Sequence, residues 1–263
     1  LVSKRAALWL ASNNMPFHNV KEYIAYAKAN PGKINVATGG QGGPQHLTGA
    51  WLESLTDTNG KLDLSLNSVT ADFNSRNGIT LDALSGGDVT GTVTSSSFDS
   101  NGQTVASSGV RLNVNGAGST AKLLFDGVTA DSNTQNGFQF NSSTGGLLTA
   151  AINSGANGAS SASGNTSDGI ILTANGAGAQ ANLLMFGDAS VNGNGGHGLN
   201  VAGINAQQVA VQFVGSANGN AGDGIHVDLS NVTQSAVELS STAGGTIDGN
   251  GGDGVHLSLT NSD

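Results

Sequence analysis

Two tetrapeptides spaced thirty residues apart, Asp223-Gly224-Ile225-His226 and Asp253-Gly254-Val255-His256, hold the residue types best suited to chemistry, and Asp228 follows two positions after the first histidine. Stacked on neighbouring turns of a repeat, Asp223, His226, Asp228, Asp253 and His256 would share one outward face. Three descriptions fit such a set. Two carboxylates roughly 5–10 Å apart suit the acid and base of glycoside hydrolysis. Two imidazoles with a carboxylate suit zinc. Asp before Gly is also ordinary turn chemistry, with His in an exposed column. Lyase chemistry wants an Arg or Lys base, and Arg76, Arg111 and Lys122 fall in distant repeats. The run Asp248-Gly249-Asn250-Gly251-Gly252-Asp253 is similar to calcium-binding nonapeptides but occurs once. The surface reading is preferred, so no catalytic residue, no resident metal and no cofactor is expected, with calcium or zinc as the alternatives.

What would position these residues is a repeat. Marker glycines fall at 78, 109, 137, 169, 198, 224 and 254, at intervals of 31, 28, 32, 29, 26 and 30 residues. After each comes an apolar residue (Ile79, Val110, Phe138, Ile170, Leu199, Ile225, Val255), one further residue, then a second apolar one (Leu81, Leu112, Phe140, Leu172, Val201, Val227, Leu257). Period two with one apolar face predicts half-buried strands. Second strands are expected at 121–125, 181–186 and 209–213, and shorter third ones at 127–130, 189–191 and 245–247. Three short strands per repeat predict an all-β chain, a right-handed parallel β-helix of about seven coils over 58–263. The Asx-Gly pairs are expected to supply positive φ at its corners.

The 263 residues include 41 Gly and no Cys, and the net charge is −9. Residues 1–61 carry six of the nine basic groups and three of the eighteen acidic ones, and neither Lys nor Arg follows Lys122. A rod without basic residues is not expected to bind nucleic acid. No stretch approaches the roughly 20 apolar residues of a membrane span. The chain opens on Leu1 rather than Met, so a processed product or a fragment is expected.

Residues 1–57 stand outside the repeat and predict a small βαβα segment. Strands are expected at 8–11 and 33–37, with an amphipathic helix over 19–28 and another over 46–55. Phe17-His18-Asn19-Val20-Lys21-Glu22, Ala27-Lys28-Ala29-Asn30-Pro31-Gly32-Lys33 and Thr38-Gly39-Gly40-Gln41-Gly42-Gly43-Pro44-Gln45-His46-Leu47 carry a resemblance. The segment resembles the periplasmic solute-binding proteins of tripartite tricarboxylate transporters, the Bug or TctC-like family. That resemblance implies a loop, Thr38, Gly39, Gly40, Gln41, Gly42 and His46, that receives a substrate carboxylate at a helix start. Those proteins have two α/β lobes, whereas this chain passes into the repeat after one βαβα piece. The alternative role for 1–57 is a cap on the first coil.

The rod itself resembles right-handed parallel β-helix proteins of the pectin-lyase-like kind, including surface adhesins. The expectation is a bacterial protein, secreted, displayed at the cell surface or periplasmic, acting as a non-catalytic adhesin or structural module that contacts carbohydrate or other cell-surface material. The first alternative is capture of a small carboxylate as a transporter's solute-binding component. The second is a polysaccharide-active enzyme.

Overall fold

The computed structural model describes residues 60–240 and 245–262, together with Pro16, Glu22 and Tyr26. Glu22 and Tyr26 lie in helix, as the amphipathic pattern over 19–28 predicts. The rest of the expected βαβα segment lies outside the described residues.

The described residues from 60 onward form a parallel β-solenoid. Each marker glycine is followed by a strand: Ile79–Leu84, Val110–Asn115, Phe138–Ser143, Ile170–Asn175, Leu199–Ile204, Ile225–Ser230 and Val255–Thr260. These seven pair in sequence order into one parallel sheet, each in register with the copy before it. A second parallel sheet stacks Lys61–Asn67, Asp88–Ser97, Thr120–Thr129, Leu147–Asn153, Gln180–Phe186, Gln208–Ser216 and Gln234–Ser240. The predicted first and second strands of each repeat are therefore present.

The third side is leaner than expected. It consists of the far ends of three long strands, the two-residue strand Ala189–Ser190, and single bridges such as Thr70 to Ser97 and Thr129 to Ser161. Residues 245–247 form no strand. The reason is geometric: the chain must turn sharply between the second and third sides, leaving two or three residues to pair before the next turn. At that corner Gly127 takes a φ of 65°, and a Cβ there would lie 2.1 Å from the Asn157 carbonyl oxygen.

Alternation along every strand turns one set of side chains inward. Leu112, Phe125, Phe138, Phe140, Leu148, Leu172, Leu183, Val201, Val209 and Val227 are all fully buried. The three phenylalanines pack ring to ring, with centroids 5.3 to 5.9 Å apart. Burial of each such side chain contributes about 1.5–3 kcal/mol. In-register stacking repeats the gain coil by coil, so a chain with only 37% hydrophobic residues still builds a continuous core.

Candidate functional site

The turn that precedes each marker glycine carries three side-chain ladders running along the solenoid. The first is Asn74, Asn101, Asn133, Asn165, Asn194, Asn220 and Asn250. In each coil the backbone N–H of the asparagine donates to Oδ1 of its counterpart in the next coil, at 2.8 to 3.0 Å. In most coils Nδ2 donates to the same oxygen. Asn101, Asn133, Asn165, Asn194 and Asn220 are buried. Asn101 Nδ2 alone among the described buried side-chain atoms has no partner. Its coil carries four extra residues before the marker, eight positions from Asn101 to Gly109 against four elsewhere.

The second ladder lies two residues earlier: Asp72, Asp99, Asp131, Ser163, Asn192, Asn218 and Asp248. Here the side-chain oxygen of one coil accepts the backbone N–H of the next, at 2.7 to 3.1 Å. Burial pushes the Asp99 carboxyl above its usual range, and the neighbouring Asp131 and Asp72 charges add to this, while hydrogen bonds from the Asp131 N–H and Thr129 oppose it.

Between the two ladders sits a left-handed residue in every coil: Phe73, Ser100, Ser132, Gly164, Gly193, Gly219 and Gly249, with φ between 54° and 65°. Asx-Gly pairs supply positive φ as expected, at Gly116, Gly176, Gly193, Gly219 and Gly249, but the pairs that end on a marker glycine do not. The markers are glycine for want of space. A Cβ on Gly169 would sit 2.6 Å from the Ala162 carbonyl, and 2.7 Å from both Asn194 Nδ2 and the Gly198 carbonyl.

The third ladder is the column before the marker, and it contains the candidate cluster. Asp168 Oδ1 accepts the His197 N–H at 2.8 Å, His197 Nδ1 accepts the Asp223 N–H at 2.9 Å, and Asp223 Oδ1 accepts the Asp253 N–H at 2.6 Å. Two ordered pairs follow. His226 Nδ1 lies 2.7 Å from Asp223 Oδ2, and His256 Nδ1 lies 3.3 Å from Asp253 Oδ2. The rings of His197, His226 and His256 stack at 4.5 and 4.8 Å. Burial raises the Asp223 carboxyl. The His226 hydrogen bond, the Asp253 N–H and the imidazoles of His197 and His226 outweigh it and hold the group below the usual carboxylate value.

Four of the five expected surface residues are therefore brought together, as two Asp–His pairs on adjacent coils. Asp228 is exposed, stands in register with Ala202 and Ser258, and bonds to neither histidine. His197 was missed, although it occupies the same column as Asp168, Asp223 and Asp253. The Asp223 carboxylate does not stand free: Oδ1 accepts the ladder N–H of Asp253 and Oδ2 pairs with His226. His197, Asp223 and His226 offer three ligand atoms within 4.8 Å of one another. An open depression bordered by Asn205, Gln207, Asn231 and Thr233 shares no residue with this cluster. The loop Thr38, Gly39, Gly40, Gln41, Gly42 and His46 lies outside the described residues.

Comparison with known proteins gives one family. The model of the Tripartite tricarboxylate transporter family receptor matches residues 2–101, bearing out the resemblance read from residues 17–47. The match continues past that segment into the first two coils of the solenoid. No curated protein and no solved structure matches the chain. No helix among the described residues is long and apolar enough to cross a membrane.

Proposed function

We propose that this is a non-catalytic binding protein of the bacterial periplasm, in which the N-terminal part captures a small carboxylate and the solenoid serves as a rigid scaffold. The family match over residues 2–101 carries this reading. Its chemistry rests on the loop Thr38–Gly43 and His46, where backbone N–H groups at a helix start would receive an anion. Calorimetric titration of the whole chain with citrate and shorter di- and tricarboxylates tests it. Binding is expected, and Gln41→Ala with His46→Ala should weaken it about tenfold or more, equivalent to about 1.4 kcal/mol. Unchanged affinity in both variants would remove the loop from the site, and no heat with any carboxylate would overturn the reading.

A second reading has its own support. The described solenoid has outer columns lined by polar side chains, as in the row Asp82, Asn113, Asn141 and Thr173. Such a surface suits an adhesin or structural module contacting carbohydrate. Glycan-array binding that survives removal of residues 1–57 would favour it. Catalysis is not part of either reading, because the Asp223 carboxylate is engaged by the Asp253 N–H and by His226.

A further inference from the structure

The Asp223 carboxylate lies between two imidazoles on successive coils. Its Oδ2 is 2.7 Å from His226 Nδ1 and 3.4 Å from His197 Nδ1. We infer that His197, Asp223 and His226 form a binding site for a divalent transition-metal ion of the zinc class. Around a tetrahedral ion with bonds of about 2.0–2.1 Å, ligand atoms stand about 3.3–3.4 Å apart. The His197–Asp223 pair already has that spacing, the His226–Asp223 pair opens by about 0.6 Å once an ion replaces the proton between them, and the two imidazole nitrogens, within 4.8 Å, draw together around the ion. Two imidazole nitrogens and one carboxylate oxygen suit zinc, nickel or copper, whereas calcium and magnesium want an oxygen shell.

The supports of the three side chains are in place. Asp223 Oδ1 is fixed by the Asp253 N–H, and the His197 backbone is fixed by Asp168 Oδ1. Side-chain exposures of 26% for each histidine and 13% for Asp223 leave the site reachable but shielded. The rod beyond Lys122 contains no Lys or Arg, so its field favours a cation. His256 is not part of the set, because its Nδ1 faces Asp253 instead.

The proton balance makes the site distinguishable from loose binding to exposed imidazoles. A ring nitrogen 2.7 Å from a carboxylate oxygen holds a proton between them, so neutral His226 carries it on Nδ1. An ion bound through Nδ1 moves that proton to Nε2, with no net release. His197 accepts a backbone N–H at Nδ1, so its proton already stands on Nε2. Binding costs His197 this hydrogen bond.

Titration of the whole chain with zinc chloride, with calcium chloride in parallel, tests the inference. One zinc per chain is expected and no calcium. His197→Gln and His226→Gln should each weaken zinc at least tenfold, and His256→Gln should leave it unchanged. Long-range proton–nitrogen correlation spectra of the wild-type imidazoles supply a readout independent of variant folding. Zinc should convert His226 from the Nδ1–H to the Nε2–H form while His256 keeps its tautomer. Absence of zinc binding, equal loss in His256→Gln, or an unmoved His226 tautomer would each overturn the site.

Discussion

Phe73 shows how strongly a single backbone position is specified. It occupies the left-handed column that becomes glycine in the last four coils, and its side chain is 72% exposed. A bulky residue at φ 56° stores about 1 kcal/mol of strain and returns little burial here. Phe73→Gly should therefore raise stability by about 0.5–1 kcal/mol in chemical denaturation, against the usual cost of glycine. Asn165 is the opposite case. Its Oδ1 receives both the N–H and the Nδ2 of Asn133, and its own N–H and Nδ2 donate to Asn194. Asn165→Ala leaves buried donors unpaired, and a loss of about 2–4 kcal/mol is expected. Asp99 tests the second ladder by pH. Its folded-state pKa is raised, so the charged form is a cost at neutral pH that disappears as pH falls through that value. Asp99→Asn keeps an acceptor for the Asp131 N–H, as Asn192 and Asn218 do in their coils. It should melt about 1–3 °C higher than wild type near pH 7, with the difference shrinking towards pH 4.

At the scale of the element, the coil is defined by side chains bonding to backbone as much as by sheet pairing. Gly169→Ala examines the closest point of that arrangement. Three atoms within 2.7 Å of the new methyl group, two of them backbone carbonyl oxygens, force neighbouring coils apart. A loss of about 3 kcal/mol or more is expected in urea unfolding. The strands were legible from sequence because their apolar columns repeat with period two behind a fixed glycine. The ladders are equally periodic, with asparagine four residues before the marker in six of seven repeats, but Asn near Gly is also ordinary turn chemistry, so the spacing alone does not reveal a ladder. The Asx-Gly pairs that end on a marker differ from the others for a physical reason. Glycine answers both to positive φ and to close approach, and spacing alone does not separate the two. The column places His197 among carboxylates, and only the fold shows that its imidazole nitrogen takes the same backbone N–H and so joins the cluster.

At the scale of the whole molecule, two signals meet near residue 60. The receptor family matches residues 2–101, while strands from Lys61 onward pair coil on coil to Thr260. The proposed capture of a carboxylate rests on residues 38–46, and under that proposal the solenoid has no part in it. Amide hydrogen exchange on the whole chain, with and without saturating citrate, tests this division of labour most directly. The account predicts slowed exchange confined to the loop at 38–46 and the segment after it, with the ladder amides of the solenoid protected equally in both states. Citrate-dependent protection along the solenoid instead, or no change at any amide, would contradict it.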